Sequence, residues 1–459
     1  MTNRRNFLLG AGACAVAVPA HAAAPPGLSI ENVTVLPMTG AAPIPGASVT
    51  VTNGRIEAIH TGRSMRPRGH TRIDGSGQYL MPGLTDAHAH LDADDMLKYF
   101  LAALKVDLAP APVRTQDAVL PYLANGVLQV VNLSATRDGF QQKRDIASGK
   151  VLGPRIVSAA MIDGAGPSWP EGMTRIARNA QEGRAAVRQA AADGYQMIKP
   201  YSALDLDTFT AIIDEARLLN LPVAGHIPGR GKGITEKFFQ PGFGMVAHAE
   251  EFAQHTREPD IAAIPRYVEM ARASGTGLIA TLTLDDRLLE EVRDPASLKA
   301  RTDLAWLHPT ARRVVLESNP YVARRSPGFI AALERIIAFN KLLVKAFADA
   351  GIPILAGTDS GVPGLAPGFA LHDELAALVA AGLSNQQALI AATAAPGAWL
   401  KSQTGTMAVG QHADLLLLEA DPLADIANTR KISAIVVGGR MVARAELDRR
   451  MTALAAKAA

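Results

Sequence analysis

From about Met81 to about Gln403 the sequence alternates short apolar runs, suited to buried strands, with longer stretches whose apolar residues recur at helical spacing. That alternation restricts the chain to a parallel βα architecture, because successive parallel strands need a crossover between them and a helix is the usual one. One unit displays the grammar. GYQMIKPYS reads as a strand ending at Lys199; DLDTFTAIIDEARLLN places Phe209, Ile212, Ile213, Ala216 and Leu219 on one helical face, with Asp207 as the expected N-cap; LPVAGHIPG reads as the next strand, ending at His226. A stretch of this length accommodates a (β/α)8 TIM-like barrel, for which about 250 residues are typical.

The segments on either side speak a different language. LSIENVTVLP, ASVTVTNGRIEAIH and HTRIDGSGQYLMPG alternate apolar and polar residues, with a turn at Asn53-Gly54, and the pattern returns near the end in HADLLLLEAD and KISAIVVGGRMVAR, with turns at Asp421-Pro422 and Gly438-Gly439. Residues 28–80 and 404–445 therefore predict one composite β-sandwich domain built from both ends of an α/β chain, enclosing the barrel at 81–403. Within the barrel, TGLIATLTL is the expected seventh strand, ending near Thr283, and the charged helical stretch at about 284–350 is longer than one repeat and predicts a helical insertion on the active-site side. Trp306 and Tyr321 within it are expected in its core, and residues 446–459 are expected as a solvated helix or frayed tail.

The first residues read as an address. Arg4 and Arg5, the short apolar run Phe7-Leu8-Leu9 and the small-residue pattern Ala20-His21-Ala22 make residues 1–22 resemble a twin-arginine signal peptide, which predicts export, to the periplasm in a bacterium with two membranes. Cys14 is the only cysteine, so intrachain disulfides and thiolate metal sites are excluded. The 459 residues carry a net charge of +3 with no nucleic-acid footprint, and no run after the leader is long enough to span a bilayer. Self-association into a homo-oligomer is left open.

Chemistry gathers at the predicted strand ends. In MPGLTDAHAHLDADD, His88 and His90 are separated by one residue, so on a strand their imidazoles point the same way and can share a cation, while Asp92, Asp94 and Asp95 read as loop acids or helix caps. Lys199 and His226 end the two strands described above, His248 ends GFGMVAHAEE, and Asp359 ends DAGIPILAGTDSG. Taken singly, each has an ordinary explanation: a solvated lysine, a hydrogen-bonded histidine, a capping aspartate. Six such residues at corresponding strand ends converge on one mouth of a barrel.

This set, with the composite β-domain and the segments RDIASGKVLGPRIVSAAMIDG and PGFALHDELAALVAAGLSNQQALIAAT, resembles the amidohydrolase superfamily, and within it the imidazolonepropionase-like and prolidase-like branch. The resemblance implies two divalent metal ions, zinc in the first place with manganese or cobalt as substitutes. It implies that His88, His90 and Asp359 bind the more buried ion, that His226 and His248 bind the more exposed one, and that Lys199, carboxylated on Nζ, bridges both. It further implies attack of a bridging hydroxide on an amide carbonyl, with Asp359 shuttling the proton to the leaving nitrogen.

The substrate is harder to read. Dipeptidase relatives often place a tyrosine or histidine two residues beyond the fifth-strand histidine; here that position is Pro228. Tyr201, Arg137, Trp169 and His372 are the residues with a chance of touching substrate, against the plainer readings of rim packing, solvation, loop anchoring and helix packing. The leading expectation is a hydrolase of N-acyl amino acids, dipeptides or related small amides; the alternatives are a cyclic-amide or lactone hydrolase with the same metals and, remotely, a non-catalytic binding barrel. A mononuclear deaminase is disfavoured by Lys199.

Overall fold

A computed structural model of the chain describes residues 27–61, 67–166, 169–170, 172–230, 232–256 and 258–458; the leader reading at 1–22 lies outside them. Eight parallel strands carry the centre of the fold: Leu84–Ala89, Val127–Asn132, Arg155–Asp163, Met197–Pro200, Ala224–Gly225, Met245–Ala247, Gly277–Ile279 and Ile354–Leu355. The first four pair side by side in sequence order, and so do the last four. Parallel bridges Ile198↔Val223 and Ala89↔Ser360 join the two half-sheets at both seams, and backbone bonds such as His226 N to Pro200 O at 3.1 Å and Ala87 N to Ala356 O at 3.0 Å continue the pairing there. The first two strands are buried at every residue, as strands covered on both faces must be. Helices follow the strands on the outside. The one at Leu206–Leu218 turns Phe209, Ile212, Ile213 and Ala216 into the core. Its N-cap is Asp205, whose carboxylate accepts from Thr208 N at 2.7 Å, two residues earlier than the expected Asp207.

The seventh unit departs further from expectation. The strand stops at Ile279, and LTLDDRLLEEVR, whose β-branched start suggested more strand, is a helix at Leu282–Arg293. Tertiary contacts override the local preference: Thr281 adopts a left-handed φ of 49°, and the buried Glu374 carboxylate caps the helix start by accepting from Thr283 N at 2.7 Å. Short turns and the helix Pro309–Glu317 follow, and then the long helix Pro327–Asp349. The end of that helix belongs to the barrel wall, because Phe339, Leu343, Val344 and Phe347 are fully buried in the main core.

Strands from both chain ends form a second, eight-stranded sheet, in which Leu415–Leu418 pairs antiparallel with Tyr79–Pro82. Its apolar face is a separate cluster that includes Ile30, Val33, Val49, Leu415 and Val436. The Asn53-Gly54 hairpin has positive φ at both residues, 51° and 72°, the geometry that matches strand twist in a two-residue turn. The closing segment differs from the expected solvated or frayed tail: Arg444–Ala458 is a helix that buries Leu447 and Met451, and Met451 O accepts from Trp306 Nε1 at 3.2 Å. Trp306 itself stacks on Phe369 with ring centroids 4.9 Å apart. Among the described residues no helix is long and apolar enough to cross a membrane.

Candidate metal centre and active-site cavity

His88 lies within the first barrel strand and His90 just past its end. The alternation of strand side chains brings both imidazoles to one side, with ring centroids 5.3 Å apart. Asp359 arrives from beyond the eighth strand. Its Oδ1 lies 3.0 Å from His88 Nε2 and 2.8 Å from His90 Nε2, yet it has no well-directed hydrogen bond. A buried carboxylate oxygen beside two ring nitrogens that do not point protons at it suits a shared cation, and these three residues form a group able to hold a metal ion. His248 and His226 complete the cluster, with centroids 4.5 Å from His88 to His248 and 5.2 Å from His248 to His226. Lys199 Nζ lies 3.4 Å from His88 Nε2, and the residue is 2% exposed.

Two members of this group sit in strained backbone. His248 has φ 77° and Asp359 has φ 60°, values uncommon outside glycine. The strain at Asp359 is held by its neighbours, since Thr358 N and Asp359 N both donate to His88 O, at 3.1 and 2.7 Å. His248 N is likewise fixed by Ile279 O at 2.9 Å.

A further set of residues orients the imidazoles, and sequence reasoning did not find them. Ser134 Oγ contacts His90 Nδ1 at 2.5 Å, Ser202 Oγ contacts His226 Nδ1 at 3.0 Å, and Thr281 Oγ1 contacts His248 Nδ1 at 2.9 Å, leaving each Nε2 free. The buried Glu251 carboxylate accepts from His226 Nδ1 at 3.2 Å, from Ile227 N at 3.0 Å and from the Arg230 guanidinium. Because a carboxylate only accepts, it requires the His226 proton on Nδ1. Asp86 ties the first strand to the eighth by accepting from Thr358 Oγ1 at 2.6 Å and from Thr358 N at 3.1 Å. Its spacing in Asp86-x-His88-x-His90 was the available signal, since positions two apart share a strand face. Ser134, Ser202 and Thr281 carry no such local mark.

Burial sets the charge state of the centre. Desolvation holds His88 well below the ordinary imidazole range and lowers His90 as well, and it takes His248 down to about 3. Neutral imidazoles are the ligand form. Burial also lowers the Lys199 ammonium to about 8, so its neutral amine is within reach near physiological pH. For Asp359 burial opposes ionisation, but the surrounding imidazoles of His88 and His248 and the contacts from His88 and His90 overcome it and keep the carboxyl well below the usual carboxylate range. Neutral nitrogens around an anionic oxygen make a donor set that fits a divalent cation.

The group opens onto a cavity of about 500 Å³, at the end of the barrel to which the strands' carboxyl termini point. Tyr201 and Trp169 line it, as expected of residues that could meet substrate. The Tyr201 ring lies 4.1 Å from His226, and Trp169 donates a hydrogen bond to its phenol oxygen. Tyr321 packs, as expected, against the apolar cluster of the insertion around Leu284, Leu288 and Leu333, and it also lines the cavity. Two expected substrate residues are placed elsewhere. Arg137 begins the helix Arg137–Ala147 and is exposed away from the cavity, and His372 is buried with Nδ1 2.9 Å from Thr429 Oγ1. Arg137 faces outward because its helix packs through Gly139 and Gln142; His372 faces inward because its helix is buried at Leu371, Glu374 and Leu375. A smaller cavity, of about 240 Å³ and lined by Asp92, Trp306 and His308, contains none of the clustered residues.

An α/β barrel with histidines, a lysine and an aspartate gathered at its strand ends defines a class of metal-dependent hydrolases. The sequence profile of the amidohydrolase family matches residues 79–442, and the chain belongs to that family. No curated protein sequence matches it. Among solved structures it is similar to a protein of Bifidobacterium longum provisionally assigned as a prolidase, with 22% identity over 94% of this chain and 99% of that one and a TM-score of 0.68. It is similar to a bottromycin amidohydrolase, with 20% identity over 94% and 90% of the two chains and a TM-score of 0.74. A Xaa-Pro dipeptidase with methionine bound in its active site is 18% identical over 91% and 100%, with a TM-score of 0.66.

Proposed function

We propose that this chain hydrolyses the amide bond of a small substrate, an N-acyl amino acid, a dipeptide or a related amide, with two divalent ions bound among His88, His90, Lys199, His226, His248 and Asp359. The observation that carries the reading is the convergence of these six side chains, from five strand ends and five of them buried, on one cluster at the catalytic cavity. Solved relatives whose names include a dipeptidase and an amidohydrolase support the amide class. Zinc suits the imidazole and carboxylate donors, with manganese or cobalt as substitutes. Lys199 fits a bridging role only as an anion. Its buried, readily neutralised amine is suited to capture carbon dioxide as a carbamate.

When bound, the metal pair supplies Lewis acidity that polarises the amide carbonyl and acidifies water. The Asp359 carboxylate, kept ionised by the imidazoles around it, accepts the proton of the attacking water and returns it to the leaving nitrogen. Tyr201, whose phenol stays protonated because burial raises its pKa, is placed to donate a hydrogen bond to the carbonyl oxygen, a task that Pro228 cannot perform. The insertion residues Tyr321 and Phe329 wall the cavity and restrict water. We place this activity outside the cytoplasm on the strength of the Arg4-Arg5 leader.

The test is a screen of the zinc-loaded mature protein against N-acyl amino acids, dipeptides, cyclic amides and lactones, with Asp359→Asn as the control. Release of free amino acid by the wild type and not by the variant supports the proposal. Turnover confined to lactones or cyclic amides would replace the substrate class, and no turnover of any compound would remove the reading.

A further inference from the structure

The catalytic cavity carries more apolar surface than the metal chemistry needs. The helix Asp94–Leu104, which follows the first barrel strand, buries Leu97 and Leu101, and it presents Met96, Phe100 and Leu104 to the cavity. These three stand four residues apart along the helix, so they form one stripe. At about 1.5 Å per residue the stripe runs about 12 Å. Its inner end adjoins the metal centre, because Met96 Sδ lies 4.0 Å from Ser134 Oγ, the group that contacts His90 Nδ1. Phe100 and Leu104 are only half-buried, whereas the apolar stripe of a helix ordinarily faces the core. The long helix Pro327–Asp349 adds Phe329, Leu333 and Ile336, also at helical spacing, to the same lining. Outside the six clustered residues of the metal centre, the charged groups of the lining are Arg230, Glu250, Asp285 and Arg324, and these follow the fifth, sixth and seventh strands. The helix after the first strand contributes none.

We propose that Met96, Phe100 and Leu104 form a subsite for an extended, unbranched apolar chain, so that the substrate is an N-fatty-acyl amino acid of medium chain length. This rests on the amide-hydrolase reading, and it narrows that reading to one kind of acyl group. A linear stripe of half-buried apolar side chains is covered best by a linear chain, and a run of about 12 Å matches an extended decanoyl group. Methionine at the inner end suits such a ligand, because an unbranched thioether adapts to a flexible chain. The amino acid, with its carboxylate, is left to the side that carries Arg230 and Arg324. A dipeptide would instead bury its free α-ammonium against Met96 and Phe100, which offer no charged or oxygen acceptor to replace water.

The experiment measures equilibrium binding of butanoate, hexanoate, octanoate and decanoate to the metal-loaded protein by calorimetry. The head group is constant, so the series reads the chain alone. Affinity is expected to rise roughly twofold to fourfold per added methylene, the range between partial and full burial of a CH2 group. The gain from butanoate to decanoate should shrink at least about tenfold in Phe100→Gln/Leu104→Gln, which places two polar groups on the stripe. Ala102→Gln, on the exposed opposite face of the same helix, should leave the gain unchanged. If the double variant does not fold, the single half-buried Leu104→Gln decides, with a smaller loss in the same direction. Affinity that does not depend on chain length, or a gain that survives the substitutions, would overturn the proposal. Because binding is read without turnover, a chain-length dependence in a protein inactive in the amide screen would support the subsite and count only against the amide chemistry. Faster turnover of N-acetyl than of N-decanoyl amino acids would overturn the subsite and leave the hydrolase.

Discussion

Replacing Glu251 by glutamine tests how the His226 imidazole is held for metal. The Glu251 carboxylate is fully buried and accepts from three donors: His226 Nδ1 at 3.2 Å, Ile227 N at 3.0 Å and the Arg230 guanidinium. Glutamine keeps one acceptor oxygen, which the fixed Ile227 amide can retain. Its NH2 group then takes the place of Oε1 and faces both the imidazole and the arginine. A donor placed against Nδ1 favours the tautomer with its proton on Nε2, which cannot bind metal through that atom. The lost charge-assisted hydrogen bond is worth about 1.5–3 kcal/mol. Most of that falls on His226, because the Arg230 side chain is 40% exposed and can rehydrate. Metal affinity at this ion should therefore fall by roughly tenfold to a hundredfold, about 1.4–2.7 kcal/mol, as for other residues that orient a ligand from behind. Zinc competition against a chelator, run on wild type and Glu251→Gln, reads this directly, and the melting temperature of the metal-free proteins separates loss of orientation from loss of fold. An unchanged competition curve in a folded variant would refute the role given to Glu251, and with it the placement of His226 in the metal centre.

Three other expectations follow from the same structure. Lys199→Ala should lose at least one metal ion per chain and nearly all activity, while Lys199→Glu, which supplies a permanent carboxylate, should retain more metal than Lys199→Ala; full metal content in the alanine variant, by elemental analysis, would remove the bridging role. Phe347→Ala should lower stability by about 3–5 kcal/mol in urea unfolding, the usual cost of truncating a buried aromatic ring, since Phe347 is 0% exposed and packs edge-to-face on Phe252 at 5.5 Å. Burial takes the His372 imidazole down to about 3, with the Arg430 charge adding to it. The unfolded chain therefore binds a proton that the folded chain refuses, and stability should decline as pH falls from about 6.5 toward 3, by at most about 1.4 kcal/mol per pH unit from this group. A His372→Gln variant should show a shallower acid limb in its melting temperature, and an identical limb would assign acid sensitivity elsewhere.

Much of this was legible in the chain. The βα alternation gave the barrel because side-chain period and segment length are local properties, and His88, His90, Lys199, His226, His248 and Asp359 were legible because each closes a recognisable strand. Asp86 could have been added on the same ground. Local pattern failed where packing decides. TLTL has the composition of a strand, yet Thr281 turns to meet His248 Nδ1 and Glu374 caps the helix that follows.

The sequence by itself determined the class of fold, the residue types available to hold metal, and the absence of a thiolate metal cluster in a chain whose one cysteine is Cys14. Only the tertiary structure decided which groups support them. Ser134, Ser202, Thr281 and Glu251 reach the imidazoles from loops and helices that follow other strands, and no spacing in the chain marks such partners. It likewise separated Tyr201 and Trp169, which line the cavity, from Arg137 and His372, which do not. The physical reason is that residue type and period are written along the chain, whereas distance, burial and the electrostatics that depend on them exist only after the strands have closed.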